Sequence, residues 1–373
     1  MTSFREIPLA RPDINQADID AVLAVLKTPY LSLGPAVTRF EAAFCDRFGC
    51  KHAVAVSSGT AGLHLAVRAC AVGPGDEVIT TPFTFIATSN CALFEGATPV
   101  FVDIDPDTWN IDPAKAAAAV TPRTKVIIPV DVFGQPADMD AICAIARPRD
   151  IRVIEDSAEA LGARYKGRPA GTLGDVGVFA FYPNKQITTG EGGVLITDDD
   201  EVARLARSMR NQGRDPTSGW LGHPRLGYNY RMPDILAALG ASQLRRLDDF
   251  VARRARVAEM YIHRLTEEKR ISLQKVEPHV TMSWFVFVVK LADSYRAEDR
   301  DRIMTELRKR HIGCNNYFAP VHLQPFYAEK FGCKRGDYPV TERVADRTIA
   351  LPFHPNLTEG EVDEVCRTLK GLL

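Results

Sequence analysis

The chain has 373 residues, with 46 Lys+Arg against 47 Asp+Glu and a formal net charge of −1, so it lacks the basic footprint of a nucleic-acid-binding protein. No apolar run approaches the roughly 20 residues needed to span a bilayer, and Met1-Thr-Ser-Phe-Arg-Glu6 holds no signal-like apolar segment, so a cytoplasmic protein without membrane contact is expected. The eight cysteines are scattered, with no Cys-x-x-Cys pair and no zinc spacing, and read as reduced, small hydrophobes.

At this length one large α/β domain plus a smaller one is expected. Asn15, with Asp18 three residues on, caps a first helix whose face carries Ile19, Val22, Leu23 and Leu26. Pro35 opens a second helix with Phe40, Phe44 and Phe48 on its apolar side, ending at Gly49. From His52 short strands alternate with helices, the pattern of a mostly parallel sheet. Strands are predicted over 53–56, 78–80, 99–102, 125–130, 152–155, 176–182 and 194–197, and helices over 61–71, 83–93, 113–120 and 139–146. Apolar spacing from Leu236 to Leu265 predicts one long helix over 235–265, roughly 45 Å at 1.5 Å per residue, able to join two domains. A strand over 284–291, a helix over 298–311 and a last helix capped by Thr358 with Glu361 then complete a smaller α+β unit. The expected division is 1–249 and 250–373.

Chemistry gathers in the large domain. Residues 176–182 form an uncharged strand that Pro183 stops. Lys185 follows at its mouth, ahead of a loop with Gly190, Gly192 and Gly193. A lysine in apolar surroundings loses hydration of its ammonium form and becomes a nucleophilic amine, so Lys185 is a Schiff-base candidate; it also reads as a charge that ends a strand. Ser57-Ser-Gly-Thr60 lies between a strand and a helix, where free N–H groups favour a phosphate or simply cap the helix. Asp156 ends a strand at the carboxyl edge of the sheet, as a ligand or as the next helix cap. Phe83 and Phe85 stand after another strand, where an aromatic face can stack on a planar ring or fill core. A phosphate seat, a ring face, an acid and a lysine together describe a site for pyridoxal 5′-phosphate.

The chain resembles the DegT/DnrJ/EryC1/StrS family of pyridoxal-phosphate-dependent nucleotide-sugar aminotransferases over nearly its whole length. The resemblance rests on Ser58-Gly-Thr-Ala61, Thr81-Pro-Phe-Thr-Phe-Ile-Ala-Thr88, Ile154-Glu-Asp-Ser-Ala-Glu-Ala160, Phe181-Tyr-Pro-Asn-Lys185 with Thr189-Gly-Glu-Gly-Gly193, Gly227-Tyr-Asn-Tyr-Arg-Met232 and Pro320-Val-His-Leu-Gln-Pro325. It implies fold type I, the aspartate-aminotransferase-like α/β fold with a large mostly parallel sheet and a smaller C-terminal domain. It further implies that Lys185 bonds the cofactor and shuttles a proton, Asp156 partners the ring nitrogen, Gly59 and Thr60 bind the phosphate, and Phe85 covers the ring. By the same resemblance Asn229 reaches the phosphate of a second subunit, giving a homodimer with shared sites, and His322 lies near the sugar. That histidine reads equally as structural. The implied reaction moves an amino group from glutamate, or glutamine, to a keto group of a nucleotide-linked sugar.

Two positions depart from the pattern. Ala180 stands where many relatives have a phosphate-binding serine, leaving Ser57 or Gln186 as replacements. Glu159 stands near the expected phenolic oxygen where glutamine or histidine is common, and its charge there repels unless it is protonated or turned away. Two other readings stay open beside the transaminase. Sugar dehydratases of this family have histidine in place of the lysine, which Lys185 argues against, and a non-catalytic sensor or scaffold has no need of an intact Lys185, Asp156 and Gly59-Thr60 set. Lys27, Arg214 and Arg231 are candidates for a diphosphate or are solvated surface charge.

Overall fold

A computed structural model describes residues 6–215, 219 and 222–373. The first five residues, read above for a leader, lie outside the described residues. Seven strands form the central sheet in the order His52–Val56, Gly193–Thr197, Val176–Ala180, Arg152–Asp156, Thr124–Ile127, Glu77–Thr80, Thr98–Phe101. All neighbours run parallel except Gly193–Thr197, which is antiparallel to both of its partners.

Both faces of this sheet are covered, which is why its strands are apolar on both sides. Successive residues point to opposite faces. Val54, Val56, Val176 and Val178 therefore join the cluster under the helices Gly59–Ala69 and Asp200–Arg210. Ala53, Ala55, Phe179 and Phe181 face the other way, onto Phe40, Phe44 and Phe48 of the helix Pro35–Phe48. There the rings of Phe44 and Phe48 stack at 4.9 Å, and Phe179 lies 5.6 Å from Phe44.

The second core surrounds a three-stranded antiparallel sheet of Ile271–Leu273, Phe287–Leu291 and Thr348–Leu351. Val257 and Tyr261 from the helix Leu247–Leu265, Leu307 from Ala297–Lys309 and Val365 from Glu359–Leu372 pack around it. Ile7 also belongs to this core and bridges to Ile312.

The helix expected over 235–265 is two helices, Asp234–Leu244 and Leu247–Leu265. Tertiary polar bonds cluster at the break. Gln243 Nε2 and Arg246 Nη2 both donate to Asp18 Oδ2, at 2.7 and 2.6 Å, and Arg246 Nη1 donates to Asp13 Oδ1 at 2.9 Å. Asp18 is fully buried, so its charge needs both partners. The strand expected from Trp284 begins at Phe287, since Trp284 has φ of +49° and Phe285 N–H bonds to Phe133 C=O. All eight cysteines are free. No helix among the described residues is long and apolar enough to cross a membrane.

Candidate active site

The sheet order explains why distant residues meet. Strands Arg152–Asp156 and Val176–Ala180 are parallel neighbours with Asp156 opposite Val178, so Asp156 and the loop bearing Lys185 leave the sheet at the same edge. The helix Gly59–Ala69 starts there as well, after the strand His52–Val56. These ends line a cavity of about 560 Å³, closed on the small-domain side by Phe285, Tyr317 and Phe318.

At one wall Ser58 caps the helix, its Oγ accepting from Ala61 N–H at 3.1 Å while its carbonyl accepts from Gly62 N–H. The N–H groups of Gly59 and Thr60 are left with no acceptor among the described residues, at the positive end of the helix dipole. Gly59 is required by space: a Cβ there would sit 2.7 Å from the Cβ of Ala180.

On the floor, Asp156 is buried. Its Oδ2 accepts from Thr88 Oγ1 at 2.7 Å and its Oδ1 from Ala158 N–H at 3.2 Å. Burial pushes its carboxyl up from the usual range, against the pull of these donors and of Lys185. Lys185 has 13% of its side chain exposed, with Nζ 3.9 Å from the centre of the Phe285 ring and 3.6 Å from Glu159 Oε1. Burial pushes its ammonium down, outweighing the nearby carboxylates of Glu159 and Asp156. Glu159 is held by Phe133 N–H, which donates to Oε2 at 3.0 Å, and burial pushes its carboxyl up. An amine and two acids shifted in opposite directions in one cleft are suited to proton transfer near neutral pH. Phe85 stands at the rim, 65% exposed.

Lys185, Asp156, Glu159, Gly59, Thr60 and Phe85 thus share one cavity. Two expected site residues do not join them. Asn229 is exposed, in an isolated bridge with Asn211, and lies outside the cavity wall. His322 is completely buried away from the cavity, with Nε2 3.0 Å from Glu342 Oε1 and its ring against Tyr338, the geometry of a structural histidine in one chain. Gln186 is no substitute for the missing serine: its Nε2 donates to Glu159 C=O at 2.6 Å and to Ser283 Oγ at 2.8 Å. Ser57 is likewise off the wall, as are Lys27, Arg214 and Arg231, whereas Ser58 is on it. Thr88, Phe285 and Tyr317 are additions that spacing could not assign. Thr88 lay in a recognised motif without a role, and the other two come from the small domain.

The profile of the DegT/DnrJ/EryC1/StrS aminotransferase family matches residues 12–370. The chain is 40% identical to GDP-perosamine synthase of Caulobacter vibrioides, over 100% of both chains. Among solved structures, Spr1654 from Streptococcus pneumoniae in its PMP form superposes with a TM-score of 0.94 at 30% identity, over 99% of this chain and 98% of that one. DesV from S. venezuelae superposes at 0.89 with 35% identity, over 95% and 93%. The fold, the cleft and these likenesses converge: the chain belongs to the DegT/DnrJ/EryC1/StrS aminotransferase family and is a pyridoxal-phosphate-dependent sugar aminotransferase.

Proposed function

We propose that this aminotransferase takes its amino group from L-glutamate or L-glutamine and delivers it to the keto carbon of a nucleotide-linked sugar. The observation that carries the reading is the nearly buried Lys185 amine on the same cavity floor as the buried Asp156 carboxyl, beside a helix start with two free N–H groups. The nucleotide is supported by the likeness to GDP-perosamine synthase of Caulobacter vibrioides, whose product is linked to GDP.

These residues fit the cofactor. The N–H groups of Gly59 and Thr60, with the hydroxyls of Ser58 and Thr60, make an anion seat that a side chain at position 59 would fill. Asp156 is an acid that burial leaves in want of a cationic partner, which a protonated ring nitrogen supplies. Pyridoxal 5′-phosphate, when bound, supplies an aldehyde for primary amines and a ring that withdraws electrons from the adjacent carbon. Lys185 Nζ would be the residue that holds that aldehyde, and its free amine would take the proton from the amino-acid α-carbon. Burial pushes its ammonium down, which favours the neutral amine that this step needs. Asp156 holds the proton at the ring nitrogen, oriented by Thr88. Glu159 stands within reach of Nζ and holds or releases a proton beside it. Phe85 and Tyr182, both exposed at the rim, exclude water once substrate covers them. Asn229 completes the phosphate seat of a partner subunit in a homodimer, and His322 acts on the sugar only through the loop it anchors.

The test is a panel of nucleotide-linked keto-sugars offered with L-glutamate or L-glutamine, with aminated sugar and 2-keto acid quantified by mass spectrometry. One aminated sugar per keto acid is expected, with both products absent for Lys185→Ala. Turnover that survives in Lys185→Ala would sink the assignment.

A further inference from the structure

The buried face of the helix Leu247–Leu265 runs Leu247, Phe250, Arg254, Val257, Ala258, Tyr261, Leu265, so an arginine occupies a core position of an otherwise apolar stripe. Arg254 is 2% exposed, and no carboxylate of the described residues lies within ion-pair distance of it. A buried charge without a counter-ion is destabilising, and a hydrophobic residue of similar size would pack there more stably. Stability is therefore a poor reason for its presence.

Its hydrogen bonds give a better one. Nη2 donates to the carbonyl of Lys185 at 2.9 Å and Nη1 to the carbonyl of Phe285 at 3.1 Å, with longer approaches to Asn184 and Trp284 at 3.5 and 3.4 Å. One planar fork thus ties the backbone of the lysine to the backbone of the ring on which Nζ rests. Lys and Arg differ here, since only the guanidinium offers donors in a fixed fan.

We propose that Arg254 is a positioning residue for Lys185: its guanidinium clamps the Lys185 and Phe285 carbonyls together and sets a fixed positive charge beside the lysine. The inference rests on Lys185 being the residue that bonds the cofactor. The charged groups acting on Lys185 are Glu159 and Asp156, which favour the ammonium, and Arg254, which opposes it. Glu191 and the phenols of Tyr182 and Tyr317 are the other titratable groups on the cavity wall. Arg254 itself feels Arg253, and His354 lies near enough to sense it. Burial and Arg253 bring its guanidinium down to about 10, still charged at neutral pH.

The experiment is a pH titration of the visible absorbance of the cofactor-loaded enzyme, run on the native protein, Arg254→Gln and Arg254→Lys, with Lys185→Ala alongside. Arg254→Gln removes the charge, so the titration midpoint is expected to rise by about half a unit or more, a threefold or greater change in the acid constant. Arg254→Lys keeps the charge and loses the fork. Its midpoint stays within about 0.2 unit of native while hydroxylamine strips its cofactor severalfold faster. A folded Arg254→Gln with an unmoved midpoint overturns the electrostatic role. If that variant does not fold, native-like stripping of Arg254→Lys overturns the clamp. A lysine-linked band that persists in Lys185→Ala overturns the reading beneath both, so the two failures are distinguishable.

Discussion

Asp156 and Ala180 show how single side chains tune the proposed site. The Asp156 carboxylate is buried and its donors are few, so each matters. Thr88→Val keeps the shape of that side chain and removes the hydroxyl donated to Oδ2 at 2.7 Å. A hydrogen bond to a charged group contributes about 1.5–3 kcal/mol, so kcat should fall roughly tenfold to a hundredfold, as Asp156 rises further and holds the ring nitrogen's proton less well. Steady-state kinetics with unchanged thermal stability would check this; unaltered kcat would remove Thr88 from the machinery. Ala180 presents the opposite case, since it abuts Gly59 on the wall where an added hydroxyl would face the free N–H groups. Ala180→Ser is therefore expected to tighten cofactor binding about threefold to tenfold in an absorbance titration of cofactor-free protein. A neutral result would mean that Ser58 and Thr60 already saturate the phosphate.

Among the elements, the loop between the strand Thr348–Leu351 and the last helix carries a buried titratable group, His354. Burial, helped by Arg254 and Arg11, brings its imidazole down from 6.5 to about 4. The unfolded chain takes up that proton first as pH falls, so His354 contributes stability above about pH 6.5 that is lost progressively as pH drops through about 4. The span corresponds to something on the order of 3 kcal/mol. His354→Asn should flatten the decline in unfolding free energy over that window, measured by urea titration at each pH; a parallel decline would place the acid sensitivity elsewhere. Legibility in the sequence also divided along element lines. The capping boxes at Asn15 and Thr358 and the Pro35 start are local, and all stand in the structure as read. The break after Leu244 was not legible, because Asp13 and Asp18 sit more than 200 positions from the residues they hold. Lys185 and Asp156 were visible as polar ends of apolar strands. Thr88 lies 68 positions from the carboxylate it orients, and Arg254 looked like one more charge on a charged helix.

At the scale of the whole molecule, the proposed homodimer would cover surfaces that one chain leaves exposed. Phe85 and Tyr182 stand 65% and 53% exposed at the cavity rim, and Asn229 lies outside the wall. Ile19, Leu23 and Leu26 fall on one face of the first helix and are 44%, 45% and 51% exposed, with Tyr30, Leu31 and Leu33 continuing the apolar surface beyond it. Exposed apolar area of this kind suits an interaction surface, and the proposed two-fold dimer would be the commonest way to cover it. If Asn229 serves the partner's phosphate seat, the two defects Lys185→Ala and Asn229→Ala should complement one another. A hybrid of the two variants then holds one site with both residues intact and one with neither. Unfolding and refolding the variants together in equal amounts makes about half of the dimers hybrids, so about a quarter of native activity should return. If Asn229 acted within its own chain, every site in the mixture would lack one residue or the other, and activity would stay at the mean of the two variants measured apart.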